Sequence, residues 1–119
     1  MSTQEDHSHQ RRFNRASVDF PVTLIVPGHE LILIGKALDL SRGGMRVATS
    51  TDLPPGQPIV LRFSLPKDER ELLVRARVVL SFYDGTAKTY AHGIAFTQYT
   101  SVDQELISSF VNDADSRQS

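Results

Sequence analysis

The chain has 119 residues, of which 39% are hydrophobic, and a formal net charge of −1. That length supports one domain burying roughly two-thirds of its unfolded surface, and the balanced charge argues against DNA as a partner. There is no cysteine, hence no disulfide framework, thiol chemistry or Cys-based zinc site, and no run approaches the ~18 apolar residues of a membrane span.

Residues 1–10 carry no apolar side chain after Met1 and read as a disordered tail. This start lacks the charged-then-apolar build of a signal peptide, so a cytoplasmic location without membrane insertion is expected. His7 and His9 have no third ligand nearby, and no metal site is expected there. Arg11-Arg12-Phe13-Asn14-Arg15 follows as a basic arm over residues 11–15, simplest as a solvated charge run pinned to the fold by Phe13.

Strand patterns then take over. Phe20, Val22, Leu24 and Val26 alternate with Asp19, Pro21, Thr23 and Ile25, and Pro21 suits a strand start or edge. Pro27-Gly28 signals a turn into a second strand, Glu30 to Leu40, in which Gly35 is the candidate for a bulge. If Leu38 and Leu40 face inward, Asp39 and Ser41 share the outer surface. Met45 and Val47 continue a short third strand to about Ala48, and residues 49–57 form a loop. Ile59, Leu61, Phe63 and Leu65 mark a fourth strand. Leu72, Val74, Ala76, Val78, Leu80 and Phe82 mark a long fifth one with Arg75 and Arg77 outward.

Asp84-Gly85 marks the next turn. Tyr90, His92, Ile94 and Phe96 form the inner face of a sixth strand, with His92 read as a hydrogen-bonded core histidine. Its other face, Ala91, Gly93 and Ala95, is small enough for another element to lie close. Ser101-Val102-Asp103-Gln104 fits a capping box, and Val102, Leu106, Ile107, Phe110 and Val111 recur at helical spacing. A helix over residues 101–112 and a polar, disordered tail over 113–119 are expected. The fold class is therefore all-β with a C-terminal helix, a six-stranded antiparallel β-barrel whose closure removes exposed edges.

Chemistry concentrates in Asp39-Leu40-Ser41-Arg42-Gly43-Gly44. A tight turn between strands accounts for S-x-G-G by itself. The composition also suits a nucleotide: Asp39 accepts from the N–H edge of a base such as guanine. Ser41 and loop N–H groups suit a phosphate oxygen, and Gly43 and Gly44 permit positive φ and close approach. Ten of the thirteen basic residues are Arg, which pairs bidentately with guanine and stacks on bases.

Two motifs in this order, R-x-x-x-R at Arg11 and Arg15 and D-x-S-x-x-G at Asp39, Ser41 and Gly44, resemble the PilZ domain. Leu53-Pro54-Pro55-Gly56 and Gly93-Ile94-Ala95-Phe96 extend the likeness over most of residues 11–110. The resemblance implies a bacterial receptor for the second messenger cyclic di-GMP, built as a six-stranded barrel with a trailing helix. It carries a ligand role to Arg11, Arg15, Asp39, Ser41 and Gly44, and Arg12, Arg42 and Gly43 join them by position and type. The expected domain is residues 11–112, signalling through an unidentified protein partner when liganded. A barrel module binding acidic protein or single-stranded nucleic acid is the alternative. No enzyme, cofactor or metal is expected: Ser41 has no evident base, and neither H-E-x-x-H nor Gly-Lys-Ser/Thr occurs.

Overall fold

The computed structural model describes residues 14–118, with side chains described as far as Ala114. Six strands run in chain order: β1 Arg15–Val26, β2 Leu31–Ser41, β3 Gly44–Thr49, β4 Pro58–Phe63, β5 Leu72–Asp84 and β6 Thr89–Gln98. One helix, α1 Ser101–Gln118, ends the described chain. Every strand pairing is antiparallel, in a closed barrel ordered β1-β2-β3-β6-β5-β4, and β4 returns to β1 through Thr23↔Arg62 and Leu24↔Leu61. The expected all-β class, six-stranded barrel and trailing helix are all present.

The interior is filled from the period-two positions. Val22, Leu24, Val47, Leu61, Leu72, Val74 and Val78 are at most 1% exposed. Phe20 and Phe63 stack at 5.8 Å between centroids. α1 contributes Ile107 and Val111 to the same core, so the helix caps one side of the barrel. Thr100 starts it: its Oγ1 accepts from Asp103 N at 3.1 Å and its carbonyl from Gln104 N at 2.9 Å. The cap is therefore Thr100 rather than Ser101, and the helix runs past residue 112 to Gln118.

Bulges set which side chains leave the alternation. The β1–β2 register slips between Ser17 and Phe20, and the β2–β3 register between Ala37 and Asp39. Ala37 and Leu40 consequently fill the core while Leu38, expected inward, is only half-buried. Gly35 is no bulge: a Cβ there would stand 2.8 Å from the Ala48 carbonyl oxygen, so its smallness admits β3. The β5–β6 register slips twice, between Arg75 and Ala76 and between Val78 and Leu80, and the second slip reverses the end of β5. Leu80 and Phe82, expected inside, are exposed, and Ser81 turns toward His92 instead.

His92 is fully buried and hydrogen-bonded, as expected. Its Nδ1 lies 2.6 Å from Ser81 Oγ, and its Nε2 lies 2.9 Å from Thr49 Oγ1. Thr49 donates its hydroxyl to Thr51 O at 2.6 Å and Ser81 donates its own to Leu53 O at 2.8 Å, so each ring nitrogen meets a hydroxyl that also reaches a backbone carbonyl. Desolvation pushes the His92 pKa below its usual 6.5.

Candidate functional site

The β2–β3 hairpin turns on two residues, Arg42 and Gly43, with Ser41↔Gly44, Leu40↔Met45 and Asp39↔Arg46 in register. On the other side β1 supplies Arg15↔Ser41 and Ser17↔Asp39. Three strands therefore bring Arg15, Asp39, Ser41 and Gly44 together. Of the residues singled out in the sequence, Arg42 and Gly43 join them through the turn, and Arg11 and Arg12 lie outside the described residues. Arg15, expected in the arm ahead of the first strand, is the first residue of β1.

Asp39 is the hub. Its Oδ1 accepts from Arg15 Nη1 at 2.9 Å and its Oδ2 from Arg46 Nε at 2.9 Å. The carboxylate is 9% exposed, the two arginine side chains 62% and 50%. Two guanidiniums around one carboxylate leave the cluster with one surplus positive charge, directed at solvent. Each Asp39 oxygen keeps a lone pair, so the hub can accept further N–H groups while both arginines stay in place.

Arg46 was not legible as a site residue. It sits outward on β3 between Met45 and Val47, and only the two-residue turn sets it across from Asp39. The available signal was the Arg42-Gly43 turn itself: counting back from Ser41 and forward from Gly44 pairs 39 with 46.

The turn is rigidly seated. Ser41 Oγ accepts from Gly43 N at 3.2 Å and donates to Gly44 O at 3.4 Å. Gly43 O accepts from Phe96 N at 3.0 Å, and Arg42 O accepts from Tyr99 Oη at 2.6 Å. The Gly43 N–H expected for a phosphate is thus held by Ser41 inside the turn. Gly44 is not at positive φ, which among glycines belongs to Gly28 and Gly56. Its reason is space: a Cβ would stand 2.3 Å from the Ile94 carbonyl oxygen on β6.

Beside the cluster an open groove of about 370 Å³ crosses β3, β6 and the end of β5. That volume is within the usual range for small-ligand sites. Arg15, Ser41 and Arg46 line one side, and Gly44, Gly93 and Ala95 lie between them and Leu80. Among the described residues, no group of three or more acidic or His side chains could hold a metal ion. No described helix is long and apolar enough to cross a membrane. Arg77, outward on β5 as expected, donates to Gly56 O at 2.9 Å.

The PilZ domain model matches residues 9–113, and the chain belongs to that family. No curated protein matches it in sequence. Solved structures share the fold at low identity. The PilZ domain of YcgR from Escherichia coli, determined with c-di-GMP, has a TM-score of 0.67 at 15% identity, covering 92% of this chain and 94% of that one. The Bacillus subtilis inhibitor of motility MotI/DgrA has a TM-score of 0.79 at 17% identity, covering 90% and 52%. K. pneumonia MrkH, solved as a c-di-GMP complex, has a TM-score of 0.73 at 17% identity, covering 91% and 53%. The chain thus spans about half the length of MotI/DgrA and of MrkH.

Proposed function

We propose that this protein is a receptor for cyclic di-GMP that changes conformation on binding and acts through a protein partner, without catalysing a reaction. The observation that carries the reading is the Arg15–Asp39–Arg46 cluster beside an open groove, in a PilZ domain whose structural relatives include c-di-GMP complexes. The ligand presents two guanines and two phosphates. Arg15 and Arg46 supply planar donor forks for phosphate or for guanine O6 and N7. The spare lone pairs of Asp39 suit guanine N1–H and N2–H. Arg11 and Arg12 add guanidiniums from the arm, and Arg42 adds one at the turn. Ser41, Gly43 and Gly44 complete the ligand surface, chiefly by holding the turn in shape.

Calorimetric titration with cyclic di-GMP, cyclic di-AMP and GTP tests this. Cyclic di-GMP is expected to bind at least about tenfold more tightly than the other two, a difference of about 1.4 kcal/mol. Equal binding of the two cyclic dinucleotides would overturn the guanine reading and favour a general polyanion surface, which needs charge but no fixed base geometry.

A further inference from the structure

The outward stripe of β2 lies away from Asp39 and carries an order of its own. Leu33 opposes fully buried Leu24 and packs on the core, which turns Ile32, Ile34 and Lys36 to the outside. Glu30, the turn residue just ahead of the strand, is exposed as well. Along the strand the stripe therefore runs acidic, apolar, apolar, basic. Ile32 is 61% and Ile34 70% exposed, and Ile34 is the most exposed large apolar side chain among the described residues.

Neighbouring strands widen the apolar centre. Ile25 on β1 pairs with Ile32, and Val60 on β4 pairs with Ile25, so the three form one outward row. Ile25 and Val60 are half-buried by their neighbours, whereas the two β2 isoleucines project from the barrel. A single exposed apolar residue is ordinary, but a contiguous patch with charged ends has the build of an interface, apolar at the centre and polar at the rim. Lys36 lies 3.5 Å from Asp19 with both side chains exposed, an ion pair worth little in water and easily exchanged. The barrel is closed, so a partner cannot add a strand to an edge and must meet this surface face to face.

We propose that this face pairs two copies of the chain about a twofold axis beside Leu33, with the β2 strands antiparallel across the interface. A twofold contact sets residue i against residue j and j against i. Positions equidistant from Leu33 then meet: Ile32 of one copy faces Ile34 of the other, and Glu30 faces Lys36 at both ends. Sheets packed face to face stand about 10 Å apart, a depth that two layers of isoleucine side chains fill. The stripe matches itself reversed, and this selects a second copy over a foreign partner. A parallel pairing would set Glu30 against Glu30 and Lys36 against Lys36. None of the stripe lines the groove beside Asp39, so the inference stands apart from the ligand reading.

Sedimentation equilibrium on the whole chain tests this. The apparent mass of wild type is expected to rise from one chain toward two between about 10 µM and about 1 mM, the range suited to a small interface. Ile34→Asp, at a site exposed in the single chain, is expected to weaken association at least about tenfold by placing a charge where the isoleucines meet. Lys36→Glu and Glu30→Lys each set like charges together and should stay monomeric alone. An equimolar mixture of these two variants should associate as wild type does, because every charge then meets its opposite. Thermal melts verify that each variant is folded. Wild type that remains monomeric at about 1 mM overturns the proposal, and so does wild-type association in Ile34→Asp. A mixture no more associated than its components overturns the self-matching register and the choice of partner that rests on it.

Discussion

Removing Arg15 or Asp39 separates two roles that one cluster combines. Each arginine–carboxylate bond is mostly solvent-facing on the arginine side, so its contribution to stability is small, on the order of 0–1 kcal/mol. Against a bound phosphate or base edge the same guanidinium is worth roughly 1.5–3 kcal/mol. Arg15→Ala is therefore expected to weaken cyclic di-GMP binding roughly 10- to 150-fold, with the melting temperature nearly unchanged. Arg46→Ala should behave alike, and wild-type affinity in the Arg15→Ala, Arg46→Ala double variant would remove the cluster from the site. Asp39→Ala should instead narrow the preference for guanine over adenine, read as the ratio of cyclic di-GMP to cyclic di-AMP affinity. Gly44 belongs to a different class. A Cβ there meets the Ile94 carbonyl oxygen at 2.3 Å, so Gly44→Ala forces β3 and β6 apart. Overpacking of this kind costs about 1–3 kcal/mol, so a clear drop in melting temperature should accompany any loss of binding. The glycine of D-x-S-x-x-G is thus primarily a barrel residue, and a melt beside the titration tells the two losses apart.

At the level of elements, local pattern was a good guide to which segments form strands and a poor one to where strands slip. β1 to β6 and α1 all follow from period-two or helical spacing and turn residues. The slips do not, because a bulge is a two-against-one mismatch decided by both partners and by closure of the barrel. β5 is the instructive case: Val78-Val79-Leu80 breaks the alternation with three apolar residues in a row, and polar Ser81 follows. Reading that break as a register change would have turned Ser81 inward toward His92 and Leu80 outward. The site divides in the same way. Asp39, Ser41 and Gly44 were legible as a motif, whereas Arg46 and Leu80 enter only through cross-strand partners. His92 makes the β5 reversal testable. Its folded pKa is lowered by burial, so the neutral form is favoured in the native state and the unfolded chain binds the extra proton. That contribution is complete above the unfolded value near 6.5 and is lost as pH falls below it toward the lowered folded value. Stability should decline as pH falls below about 6.5, with a slope of at most about 1.4 kcal/mol per unit. His92→Asn should be less stable at neutral pH and show a flatter profile below about pH 6.5. An identical profile in variant and wild type would rule His92 out as the titrating group.

For the whole molecule, the question is how occupancy at the β2–β3 turn becomes a signal. The turn is tied to the segment leading into α1 through Tyr99 and Arg42 O, and Asn14, just ahead of β1, donates to Asn112 on α1 at 3.0 Å. Both motifs therefore touch the helix or its approach, while Arg15 and Ala16 are already paired with Ser41 and Leu40. The change on binding should then fall mainly on Arg11, Arg12 and Phe13. Fixing three residues costs roughly 3–6 kcal/mol at about 1–2 each. Charge-assisted bonds from Arg11 and Arg12 return roughly 3–6 kcal/mol at about 1.5–3 each. These magnitudes balance for three residues and not for thirteen, since residues 1–10 offer little beyond polar side chains to offset their own ordering. Cyclic di-GMP is accordingly expected to slow amide exchange at Arg12 and Phe13, to leave residues 2–8 unchanged, and to change Ala16 and β4 little. Arg11→Ala with Arg12→Ala should abolish the slowing at Phe13 while Arg15 still supports weaker binding. The measurement is site-resolved hydrogen exchange on free and saturated protein. Unchanged protection at Arg12 and Phe13 at saturation would place the switch elsewhere, with α1 the next element to examine, because Asn14 and Tyr99 already connect it to both motifs.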